Sequence, residues 1–189
     1  RRPLAFKDKG EIEEILAKHG EALPFKHTAN LCGARVRLMT NSKHVSRFWQ
    51  LNWHQANSEG FDGEVYIIKG VDGYEPCLYY DLKRKIAVGV NSEYYGLAKS
   101  KSALGLATEI LKEKDKYPIH GASVGFKRKD KFLGVAIIAP TGTGKTTQFH
   151  ELLYNVRSSK VVGDDYLFVS FNASKKEVVA EQPEKQLYM

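Results

Sequence analysis

The sequence predicts an α/β protein in two lobes, and three observations carry that reading. Short apolar runs alternate with segments whose apolar residues recur at helical spacing, the pattern of strands layered on helices. One apolar run, residues 132–139, leads through a glycine-rich turn directly into a helical segment. Finally, the basic-rich stretch Lys112 to Lys116, followed by Pro118, ends a helical segment, and strand-like segments dominate after it. The boundary is placed there, giving an N-terminal α/β lobe at 1–115 and a second lobe with a mixed sheet at 116–189.

Taken in order, residues 11–19 read as a short helix stopped by Gly20. Residues 31–39 alternate and read as one strand. Asn41 or Ser42 can cap a helix running to about Trp53, and Trp49 and Trp53, four apart, are read as packing rather than as a nucleobase-stacking pair. Residues 64–69, the Val71-Asp72-Gly73 turn and residues 76–82 read as a hairpin, and 86–90 adds a third strand to an antiparallel meander. A helix is expected from Leu97 to about Lys112, weakened by Gly105. Residues 119–126 and 132–139 read as strands joined by the basic turn Lys127-Arg128-Lys129-Asp130-Lys131, and 146–157 as a helix. Residues 161–165 read as an apolar run ending in two carboxylates, and strands are expected at 166–171, 177–180 and 185–189. The chain starts Arg1-Arg2-Pro3 and ends inside that last strand, with only about 40 residues after the glycine loop, so a piece of a longer protein is expected.

Composition narrows the classes of function. No apolar run approaches the roughly 18 residues that span a bilayer, and no leader is recognisable, so a cytoplasmic protein without a membrane partner is expected. Cys32 and Cys77 lie far apart without metal or redox spacing and read as buried thiols. The net charge of +7 is dispersed, which argues against nucleic acid and suits an anionic ligand.

The chemistry concentrates in Ala139-Pro140-Thr141-Gly142-Thr143-Gly144-Lys145-Thr146-Thr147. Apart from Ala139 in place of the first glycine, this is the phosphate-loop pattern. Gly142 and Gly144 let the backbone curl so that N–H groups, with those of Thr141 and Thr143, face a polyphosphate. Lys145 can reach the β- and γ-phosphates, and the Thr146 hydroxyl can ligate Mg²⁺, with Thr147 closing the motif. About twenty residues on, Asp164 and Asp165 end an apolar run. One carboxylate can hold Mg²⁺. The other can act as general base toward an acceptor hydroxyl or hold a second metal. By themselves His120 and Lys101 read as a structural histidine and a solvated lysine.

Residues 95–165 resemble phosphoenolpyruvate carboxykinase and the related HPr kinase/phosphorylase. Three blocks carry the resemblance: Tyr95-Gly96-Leu97-Ala98-Lys99-Ser100-Lys101, then Ile119-His120-Gly121-Ala122, then the glycine loop followed by Val161-Val162-Gly163-Asp164-Asp165. It implies a carboxykinase-like nucleotide lobe. It also implies ATP or GTP with Mg²⁺ held by Thr146 and Asp164, and Mn²⁺ held by Lys101, His120 and Asp165. Lys145, His120 and Asp165 become the implied catalytic residues, in a kinase transferring phosphoryl to a small molecule or to a protein serine. A carboxykinase acting on oxaloacetate and a non-catalytic nucleotide-binding module are the alternatives. Tyr166-Leu167-Phe168 stands where carboxykinases continue with a His-Gly-Trp, which leaves the acceptor open.

Overall fold

The computed structural model of the chain describes residues 9–57, 59–129, 131–140 and 142–185. It is α/β, with two sheets, and it divides into two units, Arg1–Lys114 and Asp115–Met189. Among the described residues no helix is long and apolar enough to cross a membrane.

The first unit is built on a six-stranded mixed sheet. Its strands are β1 (Phe25–Leu31), β2 (Ala34–Thr40), β3 (His54–Gln55), β4 (Gly63–Ile68), β5 (Cys77–Asp81) and β6 (Ile86–Val90), in the order β3-β1-β2-β4-β6-β5. Successive strand residues face opposite sides, and the two faces take different helices. Tyr66 and Ile68 face α1 (Lys9–His19), whose Ile12 and Ile15 share a core with Met39, Tyr79, Val88 and Val90. The alternate residues face a π-helix (Leu97–Ala103) and α3 (Leu104–Lys112). Gly89 belongs to that face because a Cβ there would lie 2.6 Å from Leu97 and 2.8 Å from Ile67. Between β2 and β3, α2 (Lys43–Asn52) is capped by Ser42, whose hydroxyl accepts from the Val45 N–H at 3.1 Å. Trp49 and Trp53 are both buried and meet edge to face at 6.1 Å, so neither is available to stack on a base.

Three expectations are corrected here. Residues 31–39 are not one strand. Cys32 and Gly33 have φ of 55° and 99° and turn β1 back on β2 in a two-residue hairpin. Cys32 is therefore half-buried in a turn, and only Cys77 is buried. The antiparallel meander does not exist: β6 lies between β4 and β5, parallel to the first and antiparallel to the second. All five residues of β6 are buried, and a strand apolar on both faces belongs in the sheet interior, not at its end. The Asp72-Gly73 turn is held instead by Asn91, whose amide bonds the Val71 N–H and the carbonyls of Val71 and Tyr74.

The expected helix from Leu97 opens as a π-helix, and its wide turns are supplied with donors from outside the ladder. The Ser102 hydroxyl donates to the Leu97 carbonyl at 2.9 Å, and the Tyr80 hydroxyl donates to the Lys101 carbonyl. A Cβ at Gly105 would come within 3.2 Å of that Tyr80 oxygen. The glycine that weakens the helix by propensity is what lets the tyrosine in.

The second unit is a five-stranded sheet around β7 (Lys116–Arg128). The others are β8 (Lys131–Ile138), β9 (Ser159–Gly163), β10 (Tyr166–Asn172) and β11 (Glu177–Glu181). One face carries α4 (Lys145–Asn155), with Phe149 buried against Ala122 and Val124. The expected strand at 185–189 falls, beyond Lys185, outside the described residues. Pro118 does not precede the strand but lies within it. Its missing N–H would point toward the β8 edge, and β8 pairs only from Gly121 onward.

Candidate functional site

The thirteen residues of β7 bring the candidate residues together. One edge of β7 pairs Gly121–Arg128 with β8, antiparallel. The opposite edge pairs Ser123–Phe126 with β9 and Lys116–His120 with β10, also antiparallel. The β8 and β9 strands therefore run parallel to each other on either side of β7. Both end at the same level, Ile138 beside Gly121 and Gly163 beside Ser123. The glycine loop leaves from one end and the aspartate pair from the other, with Gly121 between them.

The loop has the shape its glycines allow. Gly142 and Gly144 sit at φ of 83° and 90°, which residues with a Cβ resist. Gly144 is the N-cap of α4 and offers no side-chain acceptor to the first turn, which also lacks acidic residues. The positive helix end is thus presented to the loop. The Lys145 ammonium donates to the carbonyls of Ala139 at 2.7 Å and Pro140 at 3.0 Å, and Thr143 donates to Pro140 at 2.7 Å. Thr141 lies outside the described residues.

On the other side, β9 and β10 follow one register along β7: Ser123 pairs with Gly163 and His120 with Tyr166. Asp164 and Asp165 bridge the gap, and the Gly121 N–H donates to the Asp165 carbonyl at 3.2 Å. Asp165 adopts φ of 90°, a strained conformation for a residue with a Cβ. Its carboxylate lies 3.2 Å from Nε2 of His120. With the two side chains 54% and 45% exposed, that contact adds at most about 1 kcal/mol to stability. Stability therefore gives little reason for it.

One cavity of about 680 Å³ is lined by His120, Gly121, Gly142, Gly144, Lys145, Thr146, Thr147, Asp164 and Asp165. A volume in this range accommodates a polyphosphate with a hydrated cation. The oxygen donors available, the Thr146 hydroxyl and two carboxylates, are the hard ligands that Mg²⁺ takes alongside water. Among the described residues no group of three or more His, Cys, Asp or Glu gathers as a ready-made metal cage. A cation here would keep water or ligand oxygens in its shell.

Of the residues singled out from sequence, eight line this cavity or its loop: His120, Gly142, Gly144, Lys145, Thr146, Thr147, Asp164 and Asp165. Thr143 is in the loop, bonded to Pro140. Lys101 belongs to the first unit, on the exposed side of the π-helix, whereas its neighbour Lys99 is buried there. The sequence reading missed Gly121 as a site residue. A Cβ there would fall 2.6 Å from the Ile137 carbonyl, so a side chain would push against the strand that feeds the loop. The signal was available as a glycine inside a strand. Against known proteins, no family model matches the chain and no curated protein matches it.

Proposed function

We propose that this chain is a metal-dependent phosphotransferase that moves the γ-phosphoryl group of ATP or GTP to an acceptor hydroxyl, in the manner of the carboxykinase and HPr kinase group. The observation that carries the reading is the convergence of the glycine loop, the aspartate pair and His120 on one cavity. Loop and carboxylates come from different strands some twenty residues apart, and a phosphoryl-transfer site needs both at one place.

In this reading the loop N–H groups and the first turn of α4 bind the phosphate oxygens. Lys145 exchanges two carbonyl partners for the β- and γ-phosphates. Thr146 and Asp164 hold Mg²⁺, which when bound neutralises charge on the phosphates. Asp165 accepts the proton of the incoming hydroxyl, and His120, against the same carboxylate, orients it. The short His120–Asp165 contact also favours a second reading, in which the two hold a second cation such as Mn²⁺, as an oxaloacetate-using carboxykinase requires. Lys101 enters that reading from the sequence resemblance alone.

The test is incubation of the chain with γ-labelled ATP and GTP, Mg²⁺ and panels of small hydroxyl compounds, serine-bearing proteins and oxaloacetate. Label on a hydroxyl supports the kinase, and labelled phosphoenolpyruvate supports the carboxykinase. Tight nucleotide binding without transfer to any of them would make the chain a nucleotide-binding module.

A further inference from the structure

The open edge of the second sheet is the feature the nucleotide reading does not use. β8 pairs with β7 on one side and, among the described residues, with nothing on the other. The direction of its free groups follows from one bond. The Gly121 N–H points to Asp165, on the β9–β10 edge, so Ala122, Val124 and Phe126 bond toward β8. Their partners Ile137, Val135 and Leu133 point inward. Phe132, Gly134, Ala136 and Ile138 therefore turn their N–H and C=O groups outward.

This edge lacks the usual protection. It contains no proline and no bulge, and its charged residue, Lys131, stands at the very start. Its side chains are apolar and open on both faces: Phe132 is 54% exposed, Leu133 43%, Val135 43% and Ile138 60%.

The strand is also complementary to itself. An antiparallel partner must set residues of the same face opposite each other. A two-fold axis through Val135 does this along the whole strand. Val135 meets Val135 of the second copy, Leu133 meets Ile137, Phe132 meets Ile138, and Gly134 meets Ala136. The outward-pointing residues fall on the hydrogen-bonded pairs and Val135 on a non-hydrogen-bonded one, as the ladder requires. Charges stay apart in this register. Position 131 of each copy falls opposite Ala139 of the other, so the two basic turns with Lys127 and Lys129 lie at opposite ends of the paired strands, each beside the other copy's loop, where an anion bound between them would offset the charge of the turn and of Lys145.

We propose that the chain dimerises by pairing β8 with β8 of a second copy, antiparallel about Val135, and that the basic turn of each copy flanks the phosphate loop of the other. The dimer stands without the nucleotide reading, whereas the role of the turn rests on it.

Sedimentation equilibrium of the chain should give twice its 21.3 kDa mass. In a Cys32→Ser background, Val135→Cys should form an intermolecular disulfide under mild oxidation, because a non-hydrogen-bonded pair sets Cα atoms about 4.5 Å apart. Ala136→Cys, whose symmetry mate lies about 8 Å away, should not. Val135→Lys, with circular dichroism confirming the fold, should be monomeric. A monomer at all concentrations overturns the proposal, including the case in which another protein's strand takes the edge. So does equal cross-linking at the two positions, or a dimer that survives Val135→Lys. For the turn, Lys129→Ala should weaken ATP binding several-fold in the dimer and not in the Val135→Lys monomer. An equal effect in both overturns the contribution across the interface while leaving the dimer standing.

Discussion

At the scale of single residues, Lys145 has two tasks that one substitution separates from each other. Its ammonium closes the loop through two backbone carbonyls, and in the proposed reading it is also the charge offered to a triphosphate. Lys145→Ala should weaken ATP binding by roughly 10- to 100-fold, measured calorimetrically, with only a small loss of thermal stability. The aspartates divide differently. Asp164→Asn should mainly weaken the magnesium–nucleotide complex. Asp165→Asn should spare binding and slow turnover by about 10²–10⁴-fold if the carboxylate is the base. The backbone adds a control. At φ of 90°, Asp165→Gly relieves strain that Asp165→Ala keeps, so the glycine variant should be the more stable by about 1–2 kcal/mol in urea titration, both being inactive. A reversed order would mean the strain is not stored there.

At the scale of elements, the π-helix shows how a local irregularity is held. The Lys101 carbonyl is served by the Tyr80 hydroxyl, and burial pushes that hydroxyl's pKa up to about 12. Tyr80→Phe should cost about 0.5–1.5 kcal/mol, the net worth of one hydrogen bond to a carbonyl that water can then reach, and should raise hydrogen exchange locally over residues 97–105. The clamp between β2 and the segment entering β4 is electrostatic. Arg35 donates to both carboxylate oxygens of Asp62, and this hydrogen bonding, with Lys114 nearby, holds the Asp62 pKa below its ordinary value. A carboxyl depressed in the folded state stabilises it above the unfolded pKa, near 4, and that stability is lost as pH falls through the folded pKa. Asp62→Asn should therefore melt lower than the native chain at pH 7, and the gap should close below about pH 4. What the sequence showed at this scale, and what it hid, has a physical pattern. The Ser42 cap, the end of α1 at Gly20 and the strand–loop–helix unit are written in neighbouring residues, and their positions read correctly, although Gly20 does not take the left-handed conformation of a glycine stop. The neighbour of a strand is not written locally. Asp72-Gly73 looked like a hairpin turn, and only the unbroken apolar run of β6 hinted that another strand would take the place beside β4.

At the scale of the whole chain, each unit has its own sheet and core, and every described lining residue of the cavity belongs to the second unit. Lys101→Met should accordingly leave ATP affinity unchanged. Mn²⁺ titration by electron paramagnetic resonance, with nucleotide and Mg²⁺ present, then separates the readings. Loss of a second bound Mn²⁺ in Lys101→Met supports the ligand that the resemblance implies, and no change returns Lys101 to the solvated surface. The candidate site was more legible than the fold because a phosphate loop is a contiguous motif whose residues must be adjacent to work. Gly121 was not, because its need for a missing side chain arises from Ile137, a residue on another strand. Nor could sequence say that His120 and Asp165 would touch, since their meeting depends on the register of β10 against β7.

The central position of β7 also predicts an order of events. The β7–β8 hairpin closes across a short turn, whereas β9 and β10 must return from 159–172, so their pairing carries the larger loop-closure entropy. The glycine loop should thus be anchored to the sheet before the strands that carry Asp164 and Asp165 pair. During refolding Asp164 and Asp165 should therefore arrive last, and in the proposed reading magnesium, bound through them, should report the completion of the site rather than nucleate it.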